Sequence, residues 1–316
     1  MPQKTFEDFA LNTLAGQGCV VSEPPEPEPL AAESVHGHMR PIRDIAFEAH
    51  SELLSPYPST PVRLWPNFTK ATGGLRAREF TILCGATGTG KTTFLANLSF
   101  QLLMQKTKHF VASVETGATD FVKRTMSAML SEDINTGESL SFERIAQIKH
   151  DFDHLLHTDT LMLSLFDNRI SCQQLIAELQ SAHDVHGCQI AMLDNLNFFM
   201  EVTAERNAVV EMDKTVHELI MFCKRIDMHL IMVMHPKKTE NGRVESEFDI
   251  KGSSTAVQEA HNVLLFNRTA EEDQAQYPSQ RFRELRFAKL RRRGNYVGRR
   301  IMFENFGTCY IEREML

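Results

Sequence analysis

Gly85-Ala86-Thr87-Gly88-Thr89-Gly90-Lys91-Thr92 fits the pattern G-x-x-x-x-G-K-[ST] at every fixed position. Its flanks fit as well. Phe80-Thr81-Ile82-Leu83-Cys84 reads as a buried strand leading into the loop, and Thr93-Phe94-Leu95-Ala96-Asn97-Leu98 opens an apolar helix behind it. Glycines let the backbone close around an anion, and successive N–H groups at a helix N-terminus form a nest for phosphate. In such a loop Lys91 reaches the β and γ phosphates and the Thr92 hydroxyl ligates Mg²⁺. Residues Gly85 to Thr93, with Ala86, Thr87 and Thr89 between the glycines, are therefore the expected seat of ATP or another nucleoside triphosphate with Mg²⁺.

Working outward from the loop, strands and helices alternate. Strands are expected at 79–84, 109–114, 160–166, 189–194, 229–234 and 262–267, with helices near 91–106, 119–131, 141–156, 171–186 and 207–227. This alternation predicts an α/β fold with a mainly parallel central sheet and helices on both faces. Ile190-Ala191-Met192-Leu193 and Leu230-Ile231-Met232-Val233-Met234 are continuous apolar runs, as central parallel strands should be. Segments 283–289, 300–305 and 308–312 read as strands with no helix between them, which predicts an antiparallel C-terminal extension.

In an open parallel sheet the strand C-termini form the ligand crevice. Three runs end there in polar residues. Asp194 follows Ile190–Leu193 and is placed to hold the Mg²⁺ water shell. Glu115 follows Val111–Val114 and is the candidate base for the attacking water. His235 follows Leu230–Met234, where it can hydrogen-bond a γ-phosphate. Each has a plainer reading as a strand-end or helix-capping residue.

Composition bounds the rest. The chain of 316 residues is 42% hydrophobic, enough for one large α/β domain with an appendage, and no apolar run approaches a membrane span. The N-terminus has neither a signal-peptide core nor an Arg-rich transit segment, so a cytoplasmic site is expected over a mitochondrial one. Six scattered cysteines, none in a C-x-x-C pair, argue for a reducing compartment and against a zinc module. The net charge of −7 hides a basic segment, in which Arg281, Arg283, Arg286, Lys289, Arg291, Arg292, Arg293, Arg299 and Arg300 meet only Glu284. That segment is expected to be a local patch for phosphate.

Pro24, Pro25, Pro27 and Pro29 make 22–29 an extended linker. After it, Ile42, Ile45, Ala46, Ala49 and Leu53 share one face of an amphipathic helix over 40–54. Residues 1–60 are thus expected to be an arm with a linker helix, and 61–316 the main domain.

Taken together, the P-loop, Ser113-Val114-Glu115-Thr116, Leu193 to Met200, His235-Pro236-Lys237-Lys238, Lys251 to Val263 and Lys289-Leu290-Arg291 resemble the DnaB-like ring helicases with RecA-type motors. Within that group the chain looks most like Twinkle and the helicase half of phage primase–helicases, over about residues 65–312. The resemblance implies a RecA-like P-loop fold and an ATP-driven, hexameric DNA helicase moving 5′ to 3′ on single-stranded DNA. By position it makes Glu115 the catalytic carboxylate and His235 the γ-phosphate sensor, with Lys289 and Arg291 acting in trans on a neighbour's ATP. Arg292 and Arg293 stay open as alternatives for the finger. It also sets Arg268 and Phe303 against the base and sugar, and Lys237, Lys238, Arg243, Lys251, Gly252 and Ser253 against the DNA backbone. Only about sixty residues precede the motor and they hold no cysteine pair, so primer synthesis is not expected; a separate primase or polymerase is the implied partner. A DNA-coating RecA-type ATPase without unwinding, and a non-catalytic ATP-binding loader, are the competing readings.

Overall fold

A computed structural model describes residues 41–54, 56–134, 140–156, 158–166, 168–199, 208–237, 242–251 and 254–316. The linker at 22–29, and Lys238, Gly252 and Ser253 of the expected DNA contacts, lie outside the described residues. The helix expected at 40–54 forms as Ile42–Leu54. Leu54–Leu316 is one compact unit.

Two short strands, β1 (Ser59–Thr60) and β2 (Leu75–Arg76), pair antiparallel as a small ribbon of that unit. Its main sheet runs through β3 (Phe80–Cys84), β4 (His109–Ser113), β5 (Leu161–Leu163), β6 (Ile190–Asp194), β7 (His229–Met234), β8 (Asn262–Arg268), β9 (Phe282–Leu290), β10 (Arg300–Phe306) and β11 (Cys309–Met315). Their order across the sheet is β11-β10-β9-β8-β3-β7-β6-β4-β5. From β8 to β5 every neighbouring pair is parallel, and β8 to β11 are joined antiparallel. The expected α/β architecture and its antiparallel extension are both present. The P-loop strand β3 lies between β8 and β7.

Alternation along the strands builds two cores. Phe80, Ile82 and Cys84 of β3 join Ala191 and Leu193 of β6 and Leu230, Met232 and Met234 of β7 on one face. Leu83, Met192, Ile231 and Val233 point into the other. Side chains of a strand alternate between faces, and both faces of a parallel sheet are covered, so these strands are apolar on both sides, with Thr81, Asp194 and His229 as their buried polar members. The helices Cys172–Asp184 and Ala208–Arg225 cover the first face, and Lys91–Met104 the second.

Two sequence expectations change here. The strand at 160–166 is only Leu161–Leu163, an edge strand with a partner on one side. A short helix, Pro66–Thr72, was not expected; Pro66 stands in its first turn and Gly73 closes it at φ +79°. That helix frames an aromatic cluster under the P-loop helix.

Phe303 belongs to this cluster, which corrects its expected place against a nucleotide base. Its side chain is 0% exposed. The ring lies 4.9 Å from Trp65 and 5.8 Å from Phe94, edge-on to both. Trp65 Nε1 donates to the Tyr310 carbonyl at 3.0 Å, fixing the far wall. Emptying a site of this kind leaves a cavity, so Phe303→Ala should lower unfolding free energy by about 3–5 kcal/mol. Phe303→Leu should cost far less and leave nucleotide affinity unchanged. Urea denaturation and a fluorescent nucleotide titration check both; weaker nucleotide binding by a normally stable Phe303→Leu protein would restore the ring to the site.

Candidate active site

The parallel register brings the polar strand ends to one rim. Cys84 pairs with Met234 and with Leu265, and Ser113 pairs with Asp194. The P-loop after Cys84, Glu115 after Ser113, Asp194, and His235 after Met234 therefore stand together. This is the placement read from the sequence.

The P-loop is shaped for an anion. A Cβ on Gly85 would lie 2.2 Å from the Phe266 carbonyl oxygen, and one on Gly90 2.2 Å from the Tyr310 hydroxyl. Gly88 and Gly90 also adopt φ of +76° and +96°, which side chains with a Cβ rarely tolerate. Arg283 Nε donates to the Thr89 carbonyl at 3.0 Å and ties the loop to β9. The loop opens the helix Lys91–Met104, whose first-turn N–H groups point toward it.

Lys91 and Asp194 are both buried and oppositely charged. Lys91 Nζ donates to the carbonyls of Gly85 and Ala86 at 2.8 and 3.0 Å. Burial lowers its pKa, opposed by Asp194, Cys84 and Glu115. Burial raises the pKa of Asp194, and Glu115 adds to the rise; the Thr92 hydrogen bond, Lys91 and Arg124 oppose it. Thr92 Oγ1 donates to Asp194 Oδ2 at 2.7 Å. Hydroxyl and carboxylate thus converge on one point, as a pair of ligands for a hard cation would. Among the described residues no cluster of three or more His, Cys, Asp or Glu side chains forms a metal cage.

Glu115 is exposed at the rim, and His235 is half-buried. Burial, and then the Lys91 charge, hold the imidazole below its ordinary pKa, with Glu115 opposing and Lys251 assisting. Asn195 joins the two. Its Nδ2 lies 2.6 Å from Glu115 Oε2 and 3.1 Å from His235 Nε2. In the sequence Asn195 lies within a stretch that carries the resemblance, but no role was read for it. A polar residue directly after Asp194, on a rim already holding Glu115 and His235, was the available signal. Arg283 was read only as one of the basic segment, because nothing local marks it as the arginine that reaches the P-loop.

The remaining expected residues divide. Arg268 is exposed at the rim end of β8. Lys289 and Arg291 are at the other end of the sheet, since Asn262 pairs with Leu290 and Val263 with Lys289. There Lys289 Nζ donates to the carbonyls of Val257 and Gln258 at 2.9 and 2.6 Å. Arg291 Nη2 donates to those of Gln258 and Glu259 at 2.9 and 3.2 Å. Both cations thus sit on the C-terminal carbonyls of the helix Ser254–Glu259, the negative end of its dipole.

The loop expected to touch DNA is partly folded. Pro236 bridges Ile250, the Lys237 N–H donates to the Asp249 carbonyl at 2.6 Å, and the Lys251 N–H donates to the His235 carbonyl at 2.9 Å. Lys237 and Lys251 are exposed on the two sides of this bridge. Arg243 is a correction. Its guanidinium pairs with Glu245 at 2.9 Å and with buried Glu284 at 3.2 Å, and it also donates to the Arg268 carbonyl. Its side chain is only 16% exposed. It anchors the loop and does not offer a charge to phosphate.

The basic patch of 281–300 is partly paired. Arg281 pairs with Glu304, Arg286 with Glu245, Arg292 with Glu79, and Arg300 with Asp273 and Glu284. Among the described residues four of the nine cations are thus ion-paired within the domain, whereas Arg283, Lys289 and Arg291 rest on backbone carbonyls and keep their charge.

A P-loop strand at the centre of a mainly parallel sheet, with Asp194 and Glu115 on the same rim, defines a RecA-like P-loop nucleotide-binding domain. The chain belongs to the DnaB-like helicase C-terminal domain family, whose profile matches residues 65–310. A DNA helicase/primase of Enterobacteria phage T3 is 21% identical over 211 residues, 64% of this chain and 37% of that protein. The chain thus spans little more than a third of that relative. A solved structure described as a DnaB-like replicative helicase with its primase interactions superposes with a TM-score of 0.70 at 14% identity, covering 89% of this chain and 69% of the other. A second solved structure, described as an ATPase domain, gives 0.67 at 14% identity, covering 87% and 99%. At these identities the two structures establish the fold. Among the described residues no helix is long and apolar enough to cross a membrane.

Proposed function

We propose that this chain is the ATP-driven motor of a replicative DNA helicase, acting in the cytoplasm as a hexameric ring that moves 5′ to 3′ along single-stranded DNA. The observation that carries the reading is the split of the catalytic set. The P-loop, Glu115, Asp194 and His235 share one rim, whereas Lys289 and Arg291 lie at the opposite end of β8. A chain built this way completes an ATP site only with a second copy, head to tail, and a heterologous contact that closes makes a ring. The resemblance implies that arrangement. The helix Ile42–Leu54 is the proposed latch between subunits, and a separate primase or polymerase the proposed partner.

In this reading the N–H groups of Gly85 to Thr92 and the Lys91 ammonium cradle the triphosphate. Thr92 and Asp194 would hold Mg²⁺, which would supply neutralisation of phosphate charge. Glu115 orients the attacking water and accepts its proton. His235 faces the γ-phosphate, and its carbonyl is bonded directly to the Lys251 backbone. A forked-duplex unwinding assay, paired with mass by light scattering with and without ATP, tests the whole. Unwinding by a species of about six chains supports it. ATP turnover on single-stranded DNA without unwinding would leave a DNA-coating ATPase instead.

DNA contact should be electrostatic. Lys237, Lys251 and the segment around Lys238, Gly252 and Ser253 offer charge and backbone groups, with Glu245, Glu247 and Asp249 beside them. Affinity should therefore be modest, sequence-tolerant and salt-dependent. Lys251→Ala should weaken single-strand binding and lower the salt slope by about 0.7 for each phosphate no longer neutralised. Basal ATP turnover should fall much less. Binding measured by anisotropy from low to high salt decides; an unchanged slope removes Lys251 from the DNA interface.

A further inference from the structure

Asn195 is 2% exposed, and its side-chain hydrogen bonds are fully specified. Oδ1 accepts from the Asn197 N–H at 3.1 Å and caps the turn Leu196–Phe198. A backbone N–H can only donate, so the oxygen of the amide must face it and the nitrogen must face Glu115 and His235. One amide nitrogen then donates one hydrogen to Glu115 Oε2 at 2.6 Å and the other to His235 Nε2 at 3.1 Å. His235 is consequently the tautomer with its hydrogen on Nδ1. The His235 carbonyl in turn accepts from the Lys251 N–H at 2.9 Å.

We propose that Asn195 is a positioning residue that couples Glu115 to the DNA-binding loop, an inference that rests on Glu115 being the base and Lys251 a DNA contact. The two hydrogens of a planar amide point in fixed directions about 120° apart. A shift of His235 with the loop therefore turns or breaks the bond to Glu115. That bond is charge-assisted and short, and it fixes one carboxylate oxygen while leaving the other for water. Misplacing a catalytic group by about 1 Å can lower a rate by roughly 10². Loop position thereby sets how well the base is aimed, and DNA on the loop sets the rate of hydrolysis.

The substitution that separates coupling from simple capping is Asn195→Asp. Asp keeps the capping oxygen and is as good an N-cap as Asn. It lacks both donors and sets a carboxylate against Glu115. Asn195→Ser is the neutral counterpart, able to cap but too short to reach both partners. Basal and DNA-stimulated ATP turnover, KM for ATP and Tm are measured for each, with Glu115→Gln alongside. The expected result is that stimulation by single-stranded DNA collapses toward onefold in both Asn195 variants. KM for ATP should stay within about twofold, because neither hydrogen bond touches the P-loop. His235→Ala should add nothing further to the loss in the Asn195→Ser background. Wild-type stimulation in either folded variant, or full additivity with His235→Ala, overturns the coupling. If Glu115→Gln keeps its turnover, the base assignment falls and the coupling with it, which is a different outcome from loss of stimulation control alone.

Discussion

Rings carrying Arg291→Ala should assemble and bind nucleotide normally yet hydrolyse ATP slower by roughly 10³–10⁵, the range an arginine finger supplies where one acts. In the proposed arrangement this effect is exerted on a neighbour. Leu290 pairs with Asn262 at the start of β8, and the Arg291 N–H donates to the His261 carbonyl at 2.9 Å. The P-loop leaves β3 after Cys84, level with Leu265 of the same β8. Three residues of strand already span about 10 Å, and the loop begins beyond that end. Arg291 therefore stands well away from its own chain's phosphate site. Its guanidinium rests on the Gln258 and Glu259 carbonyls, whereas that of Arg292 is paired with the buried carboxylate of Glu79 at 2.9 Å. Moving Arg292 would strip a partner from a buried charge, which is costly. Moving Arg291 exchanges solvent-accessible carbonyls for phosphate. The proposed finger is thus Arg291. Mixtures of Arg291→Ala and Glu115→Gln subunits contain junctions where an intact finger meets an intact base, so they should exceed the activity of either parent. Mixtures that never do so, in rings of normal mass, would end the trans assignment.

The parts of this molecule legible in the sequence are those set by short-range pattern. Runs such as Ile190–Leu193 and Leu230–Met234 have no polar side to show water, so they had to be central strands. The polar residue ending each run then had to lie on the ligand rim. What escaped was decided by partners far away in the chain. Arg281, Arg286, Arg292 and Arg300 look like free charges of a basic patch because their acids, Glu304, Glu245, Glu79 and Asp273, are outside or at a distance from the segment. Arg243 was misread for the same reason, since Glu284 lies 41 positions away. Phe303 was placed by resemblance alone, and only the packing of Trp65 and Phe94 around it shows that its ring has no free face. Asn195 is the reverse case. Its neighbours at the rim were identified, but the amide that joins them is visible only once β4, β6 and β7 are side by side.

Glu115→Gln should bind ATP about as well as wild type and turn it over slower by on the order of a hundredfold or more. Binding survives because the affinity comes from parts this change leaves alone: the P-loop N–H groups, Lys91, and the Thr92–Asp194 pair. Turnover fails because Gln cannot accept the proton of the attacking water, and its amide is a poor electrostatic match for the charge developing there. Size and shape are nearly unchanged, so Asp194 keeps its burial and its Thr92 hydrogen bond. One local charge does change. Glu115 helps raise the pKa of Asp194 and opposes the lowering at Lys91 and His235. Its neutralisation should make Asp194 easier to ionise, which favours its role toward Mg²⁺, and removes one of the charges that keep Lys91 protonated, so the two changes offset each other in nucleotide binding. Binding and turnover therefore separate: pre-steady-state nucleotide binding stays near normal while single-turnover hydrolysis collapses. A Glu115→Gln protein that hydrolyses ATP near the wild-type rate would put the base on another residue of the rim. Lost binding with Lys91 and Asp194 intact would mean that Glu115 supports the P-loop and does not act on water.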